Sequence, residues 1–141
     1  MKYKFDGYNW FGVLKKGDEL VGSLTEFAKK ESIKGAWVFV VGACDEVEAG
    51  YYDLKSKSYK FKKYNQDLEI LNIQGNLSWS ENEPVIHLHG TFAGEDGKAF
   101  GGHIKSLKVS ITCEVFIHDW FGVDKISRKP DDSIGLKLLD L

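Results

Sequence analysis

The chain has 141 residues, with 19 Lys and Arg against 21 Asp and Glu, and a formal net charge of −2. A hydrophobic fraction of 43% with 4 Trp, 6 Tyr and 9 Phe is enough for a packed core, which excludes disorder as the main state. The length suits a single domain over residues 1–141, and the longest apolar run, Ala36–Cys44, falls far short of the ~20 residues of a membrane span.

The start, MKYKFDGYNW, carries charge and aromatics where a secretory leader carries an apolar run. Cytoplasm is therefore the expected location, and Cys44 and Cys113 are too few for a disulfide framework. Eighteen of the 19 basic side chains are Lys, and Arg128 is the only arginine. Without arginine's bidentate fork, such a chain is a poor candidate for sequence-specific DNA binding on its own.

In chain order, the first strong signal is a helix over Glu19–Ser32. Leu20, Val21, Leu24, Phe27 and Ala28 recur at helical spacing. Asp18 is the expected N-cap, Glu19 lies in the first turn, Lys29 and Lys30 near the end, and Gly35 is the stop signal. Ala36–Ala43 is β-branched and aromatic without a polar residue, as a strand buried on both faces would be. Glu48–Asp53 and Ser58–Lys63 flank a Lys/Ser turn and predict a hairpin. The lysines of Lys55–Lys63 suit a solvated edge strand that resists edge-to-edge association, with a phosphate-binding stripe as the alternative. Leu68–Asn76, Val85–Ala93 and Lys98–Leu107 follow as strands. In Lys108–Asp119, Val109, Ile111, Cys113, Val115 and Ile117 share one face, so Cys113 is expected as a core hydrophobe. Leu136–Leu141 is too apolar to dangle and is expected as a last strand. One helix with many consecutive strands predicts an α+β fold with a largely antiparallel sheet.

Three of the four histidines fall within 17 residues, in IHLHGTFAGEDGKAFGGH. His87 and His89, two apart on a strand, project from one face. Whether His103 joins them depends on register. A three-residue loop Glu95–Gly97, with Gly97 in the left-handed bulge position, sets Gly94 opposite Lys98 and His89 opposite His103. A two-residue Asp96-Gly97 turn pairs His103 with Gly90 on the wrong face, and a bulge at Gly101-Gly102 changes the parity again. Three neutral imidazoles on one face would bind Zn²⁺ or another borderline divalent ion and leave a fourth position open. The competing interpretation is that they are hydrogen-bonded residues filling a polar pocket or a subunit contact. His118, beside Asp119, is expected on the surface. Glu69 or Glu114 could orient an imidazole, although exposure is the plainer expectation for both. No nucleophile elbow, Walker loop, dinucleotide fingerprint or CxxC pair occurs.

Taken in order, KKGDELVGSLTEFAKKESIKGAWVFVVGA, GYYD, LEILNIQGNLS, PVIHLHGTFAGEDGKAFGGHI and GLKLLDL resemble the plant and prokaryote conserved (PPC) domain. The block Pro84–Ile104 is the most specific part. The resemblance implies a stand-alone prokaryotic member with a central, largely antiparallel sheet flanked by helices, assembling as a homotrimer. It also implies zinc held by His87, His89 and His103. DNA binding reaches the chain only by family descent. The plant relatives carry an Arg-Gly-Arg minor-groove hook that is missing here, and of their Gly-Arg-Phe-Glu-Ile-Leu segment this chain keeps only the second half, as Gln66-Asp67-Leu68-Glu69-Ile70-Leu71.

The expected function is a homotrimeric binding or regulatory module whose histidines hold a metal or a small anion. A metal-dependent enzyme is the less favoured alternative. Cupin-type sites also begin with HxH on a strand, but Glu95 falls one residue later than that pattern expects and the second cupin motif is missing. DNA association is the other alternative.

Overall fold

The computed structural model describes residues 1–122 and 124–141. In chain order the elements are β1 (Lys2–Phe5), β2 (Asn9–Lys15), α1 (Leu20–Lys30), β3 (Ala36–Asp53), β4 (Ser58–Ser80), β5 (Glu83–Ala93), β6 (Ala99–Asp119), β7 (Ser127–Asp131) and β8 (Leu136–Asp140). The architecture is mostly β, which corrects the α+β expectation with flanking helices. Among the described residues there is one helix, 11 residues long. It is not long and apolar enough to cross a membrane.

The physical reason for the correction is the length of the strands. Segments that look separate in the sequence are halves of three long, bent strands: β3 with 18 residues, β4 with 23 and β6 with 21. β3 pairs with β4 and β6, and β5 also pairs with β4 and β6, so these four strands close a circuit. The sheet covers its own inner face, and α1, packed against β5 and β6, completes the cover. Leu20, Leu24, Phe27 and Ala28 of α1 join Val38, Val40, Ile73, Leu77, Leu88, Phe92 and Ile117 in one buried core.

The bends are bulges, and they explain two misplaced expectations. Gly42 sits at φ 145°, and a Cβ there would lie 2.1 Å from Thr112 O, so only glycine fits this crossing. Between the pairs Gly42↔Cys113 and Cys44↔Val109, β6 carries more residues than β3. Ile111 is thrown outward to 70% exposure while Val109 and Cys113 stay buried. Ala36–Ala43 is also covered on one face only, leaving Trp37, Phe39 and Val41 exposed.

The helix cap is Glu19, not Asp18. Its carboxylate accepts from Val21 N and Gly22 N, and also from Leu107 N at 3.1 Å, tying the helix start to β6. Asp18 instead closes the preceding turn by accepting from Lys15 N. The helix leaves through Ser32 at φ 55°, before Gly35. Gly35 is needed for packing, because a Cβ there would meet Ile126 and Trp120.

The hairpin of Glu48–Asp53 with Ser58–Lys63 is present, closed at Asp53↔Ser58. The terminal pair β7–β8 is a hairpin laid beside β4 through the parallel bridge Trp79↔Ser127. Tyr52 Oη donates to Ile134 O at 2.8 Å and Lys57 Nζ to Asp132 O at 2.7 Å. The tip of the β3–β4 hairpin therefore braces the C-terminal one.

Candidate metal centre

The β5–β6 turn decides the site. Gly97 N donates to Gly94 O at 3.0 Å, Gly97 takes φ 67°, and Asp96 Oδ1 accepts from Lys98 N at 3.0 Å. This is the three-residue loop, so Ala93 pairs with Ala99 and, counting inward, His89 pairs with His103. Gly101 and Gly102 stay in register opposite Thr91 and Gly90, so no bulge intervenes. On the other side of β5, Asn76 stands opposite His87 and Gln74 opposite His89.

The three imidazoles form a compact triangle, with ring centroids 5.1, 5.2 and 5.4 Å apart. One nitrogen from each lies within 4.8 Å of the others. His87 Nε2 and His89 Nε2 are 3.2 Å apart, close to the ~3.3 Å between two ligands of a tetrahedral ion at ~2.0–2.1 Å. The Tyr59 ring stacks on His103 with centroids 4.6 Å apart, and Phe61 lies at 6.2 Å on the same side. Arg128 reaches in from β7. It donates through Nε to Ser78 Oγ at 2.7 Å, through Nη1 to Lys137 O at 3.1 Å, and through Nη2 to Asn76 Oδ1 at 2.9 Å and His87 Nδ1 at 3.3 Å.

Burial and nearby charge favour the neutral form of His87 and His103. Burial, then the Arg128 charge, pushes His87 down to about 4. Burial, then His89, pushes His103 down to about 4 as well. Neutral imidazole is the ligating form. His103 Nδ1 is buried with no hydrogen-bond partner, and leaving such an atom unsatisfied costs about 1–3 kcal/mol. Converging nitrogens, neutral rings and an orphaned buried nitrogen fit a borderline divalent cation. His87, His89 and His103 are the side chains that would hold it.

Other expected positions lie outside the triangle. His118 is exposed and its Nδ1 is 2.8 Å from Asn9 Oδ1. Glu69 and Glu114 are exposed, and among the described residues neither carboxylate is a hydrogen-bond partner of a histidine. Glu95 is exposed in the turn, away from the pairs that set the site. Cys44 and Cys113 are free and buried; burial pushes their thiols up to about 12 and about 11. Sequence reasoning missed Arg128, Asn76 and Tyr59 as neighbours of the triangle. Tyr59 and Phe61, two apart on β4, share the face that meets His103.

The same outer face carries an apolar field. Register lines up Phe11, Phe116, Phe39, Gln74, His89 and His103 in one row across the strands. The next row runs Asn9, His118, Trp37, Asn76, His87. A groove of about 1130 Å³ opens over Phe11, Val13, Phe39, Val41 and Phe116, and the histidines do not line it.

Fold and site together define a single-sheet β protein with a three-imidazole cluster on its outer face. The chain belongs to the Plants and Prokaryotes Conserved (PCC) domain family, which it matches over residues 1–120. A metal-containing protein from Archaeoglobus fulgidus is 34% identical, with 100% of both chains covered and a TM-score of 0.88. A plant- and prokaryote-conserved protein from Pyrococcus horikoshii is 30% identical over 99% of this chain and 95% of that one, also with a TM-score of 0.88. A protein of Bacteroides thetaiotaomicron described as a candidate DNA-binding protein is 28% identical over 99% and 96%, with a TM-score of 0.93. No curated protein sequence matches the chain.

Proposed function

We propose that this chain is a metal-binding module whose His87, His89 and His103 hold zinc in a homotrimer, with a binding or regulatory role. The observation that carries the metal is the convergence of three imidazole nitrogens within 4.8 Å. Three nitrogen ligands with no thiolate or carboxylate suit zinc among the borderline divalent ions and leave one coordination position for a further ligand. Supplied there, zinc acts as a Lewis acid. The chain itself holds His87 and His103 neutral and sets all three imidazoles in register, and it screens His103 with Tyr59. Among the described residues, no Ser, Cys, Asp or Glu side chain is hydrogen-bonded to a histidine of the triangle. The buried thiols suit a reducing, cytoplasmic setting.

The exposed apolar field supports the trimer. Phe11, Val13, Trp37, Phe39 and Val41 each keep more than 40% of their surface exposed, and contiguous apolar patches of this kind mark association surfaces. Metal analysis of protein purified without chelator or affinity tag, paired with a solution mass, tests both parts. One zinc per chain and three times the chain mass are expected; a metal-free monomer refutes the proposal.

The description of the Bacteroides relative favours a second role, nucleic-acid association. The lysines it would need are largely engaged: Lys63 pairs with Glu46 at 2.8 Å, Lys62 sits over the Tyr64 ring, and Lys57 bonds Asp132 O. That role predicts binding that weakens steeply with salt, and no shift of a DNA duplex at low ionic strength rules it out.

A further inference from the structure

Arg128 is the only arginine of the chain, is half-buried, and ends against a histidine of the triangle. Its four contacts are all to neutral acceptors: Ser78 Oγ, Lys137 O, Asn76 Oδ1 and His87 Nδ1. No carboxylate of the described residues pairs with it. Buried charges are ordinarily paired, and here a fixed cation stands one imidazole away from a site for a second cation.

The hydrogen bond to His87 sharpens the problem. A guanidinium only donates, so His87 Nδ1 is the acceptor and the ring proton sits on Nε2, 3.2 Å from His89 Nε2. A metal held through Nε2 would require the ring proton on Nδ1, where it would face the guanidinium N–H. Two donors then oppose each other. Ligating histidines ordinarily give their second N–H to an acceptor, and at this position the chain presents a donor. The Arg128–His87 contact is also the longest of the four, at 3.3 Å.

We propose that Arg128 makes the centre a receptor for a small oxyanion, a carboxylate or a phosphate, which accepts from the guanidinium and from the Nδ1 proton of His87. Arg128 is thus the selectivity residue of the site, and metal and anion bind cooperatively. The proposal rests on the metal reading above and adds the class of ligand.

The test is a Co²⁺ titration followed by visible absorption, at constant ionic strength, with and without acetate or methyl phosphate. Wild-type protein is expected to bind Co²⁺ about tenfold more tightly with the preferred anion, the scale of one charge-assisted hydrogen bond. By reciprocity, Co²⁺ raises the affinity for the anion by the same factor. Arg128→Met is expected to bind Co²⁺ with no anion effect, and Arg128→Lys to show a smaller one, because it keeps the charge and loses the fork. The acetate and methyl phosphate arms separate carboxylate from phosphate. Absence of any cobalt band refutes the metal reading itself. A cobalt band whose affinity ignores both anions, or an anion effect that survives in Arg128→Met, refutes only the oxyanion receptor.

Discussion

Gly75→Ala tests the link between strand packing and the histidine site. Gly75 stands opposite Leu88, next to His87. A Cβ at Gly75 would lie 1.9 Å from His87 O and 2.9 Å from Leu88 Cα, where ordinary contact begins at 3.4 Å. The two strands must part locally by about 1.5 Å (3.4 − 1.9), against a normal spacing of ~4.8 Å. Ladder hydrogen bonds near 2.9 Å do not survive that displacement. Two lost bonds at about 1 kcal/mol each, with a buried group left unsatisfied at about 1–3 kcal/mol, give a loss of roughly 3–5 kcal/mol. At roughly 3 °C per kcal/mol for a chain of this size, the melting temperature falls by about 9–15 °C. The carbonyl being pushed belongs to His87, so its ring moves with it. Metal sites tolerate about ±0.2 Å, so zinc affinity is expected to fall more than a hundredfold by chelator competition. Gly94→Ala is the control: its Cβ would come closest to the end of the Gln66 side chain, at 3.3 Å, with Leu68 Cδ2 and Asp67 O at ordinary contact distances of 3.7 and 4.0 Å, and melting and zinc binding should stay near wild type. A Gly75→Ala protein that melts within 2 °C of wild type and keeps its zinc affinity refutes the argument.

Three further outcomes follow from the same geometry. His87 and His103 titrate near 4 in the fold against ~6.5 unfolded. Between those values the unfolded chain binds more protons, so metal-free protein should lose denaturant stability as pH falls from 6.5 toward 4 and show no such dependence above 7. A flat midpoint over that range contradicts the burial of these rings. Cys44 and Cys113, held as thiols by burial, should react with a thiol reagent at pH 8 only as fast as the chain opens, so labelling rates should rise with denaturant in step with unfolding; rapid labelling of the native protein contradicts this. Phe39→Asp places a charge in the exposed apolar row without touching the core, and is expected to cut the solution mass to that of one chain while leaving the circular dichroism unchanged; an unaltered mass removes Phe39 from the subunit contact.

What could be read from the sequence depended on how locally it was encoded. The alignment of His89 with His103 is one of the registers that Gly94 to Lys98 allow, and the structure takes it because Gly97 is left-handed after a type I turn and no bulge follows at Gly101-Gly102. The long strands were hidden for the opposite reason. A bulge such as that at Gly42 flips the alternation, so β3 and β6 each read as two strands, and Ile111 was assigned to the core face that its bulge leaves. The flanking helices came from the family resemblance, and the closed circuit of β3 to β6 leaves them little inner surface to cover. Glu19 as cap was also out of reach, because its third bond, to Leu107 N, comes from a strand far along the chain.

The same contrast bears on what the centre binds. The three histidines lie inside residues 1–120, the part that matches the family, and the register of His89 with His103 is set within one hairpin. Arg128 lies beyond that part and reaches the site only because β7 bridges Trp79 and the tip of the β3–β4 hairpin holds the loop before Gly135 through Tyr52 and Lys57. The family model covers the histidines and stops short of the guanidinium beside them, whereas the solved structures described above align over 99–100% of this chain. Two chains can share the triangle and differ in the charge that faces His87 Nδ1. If that charge selects the anion, replacing Arg128 changes ligand choice while the metal stays, and the separation of those two effects measures how far the C-terminal hairpin, not the histidines, sets the specificity of this site.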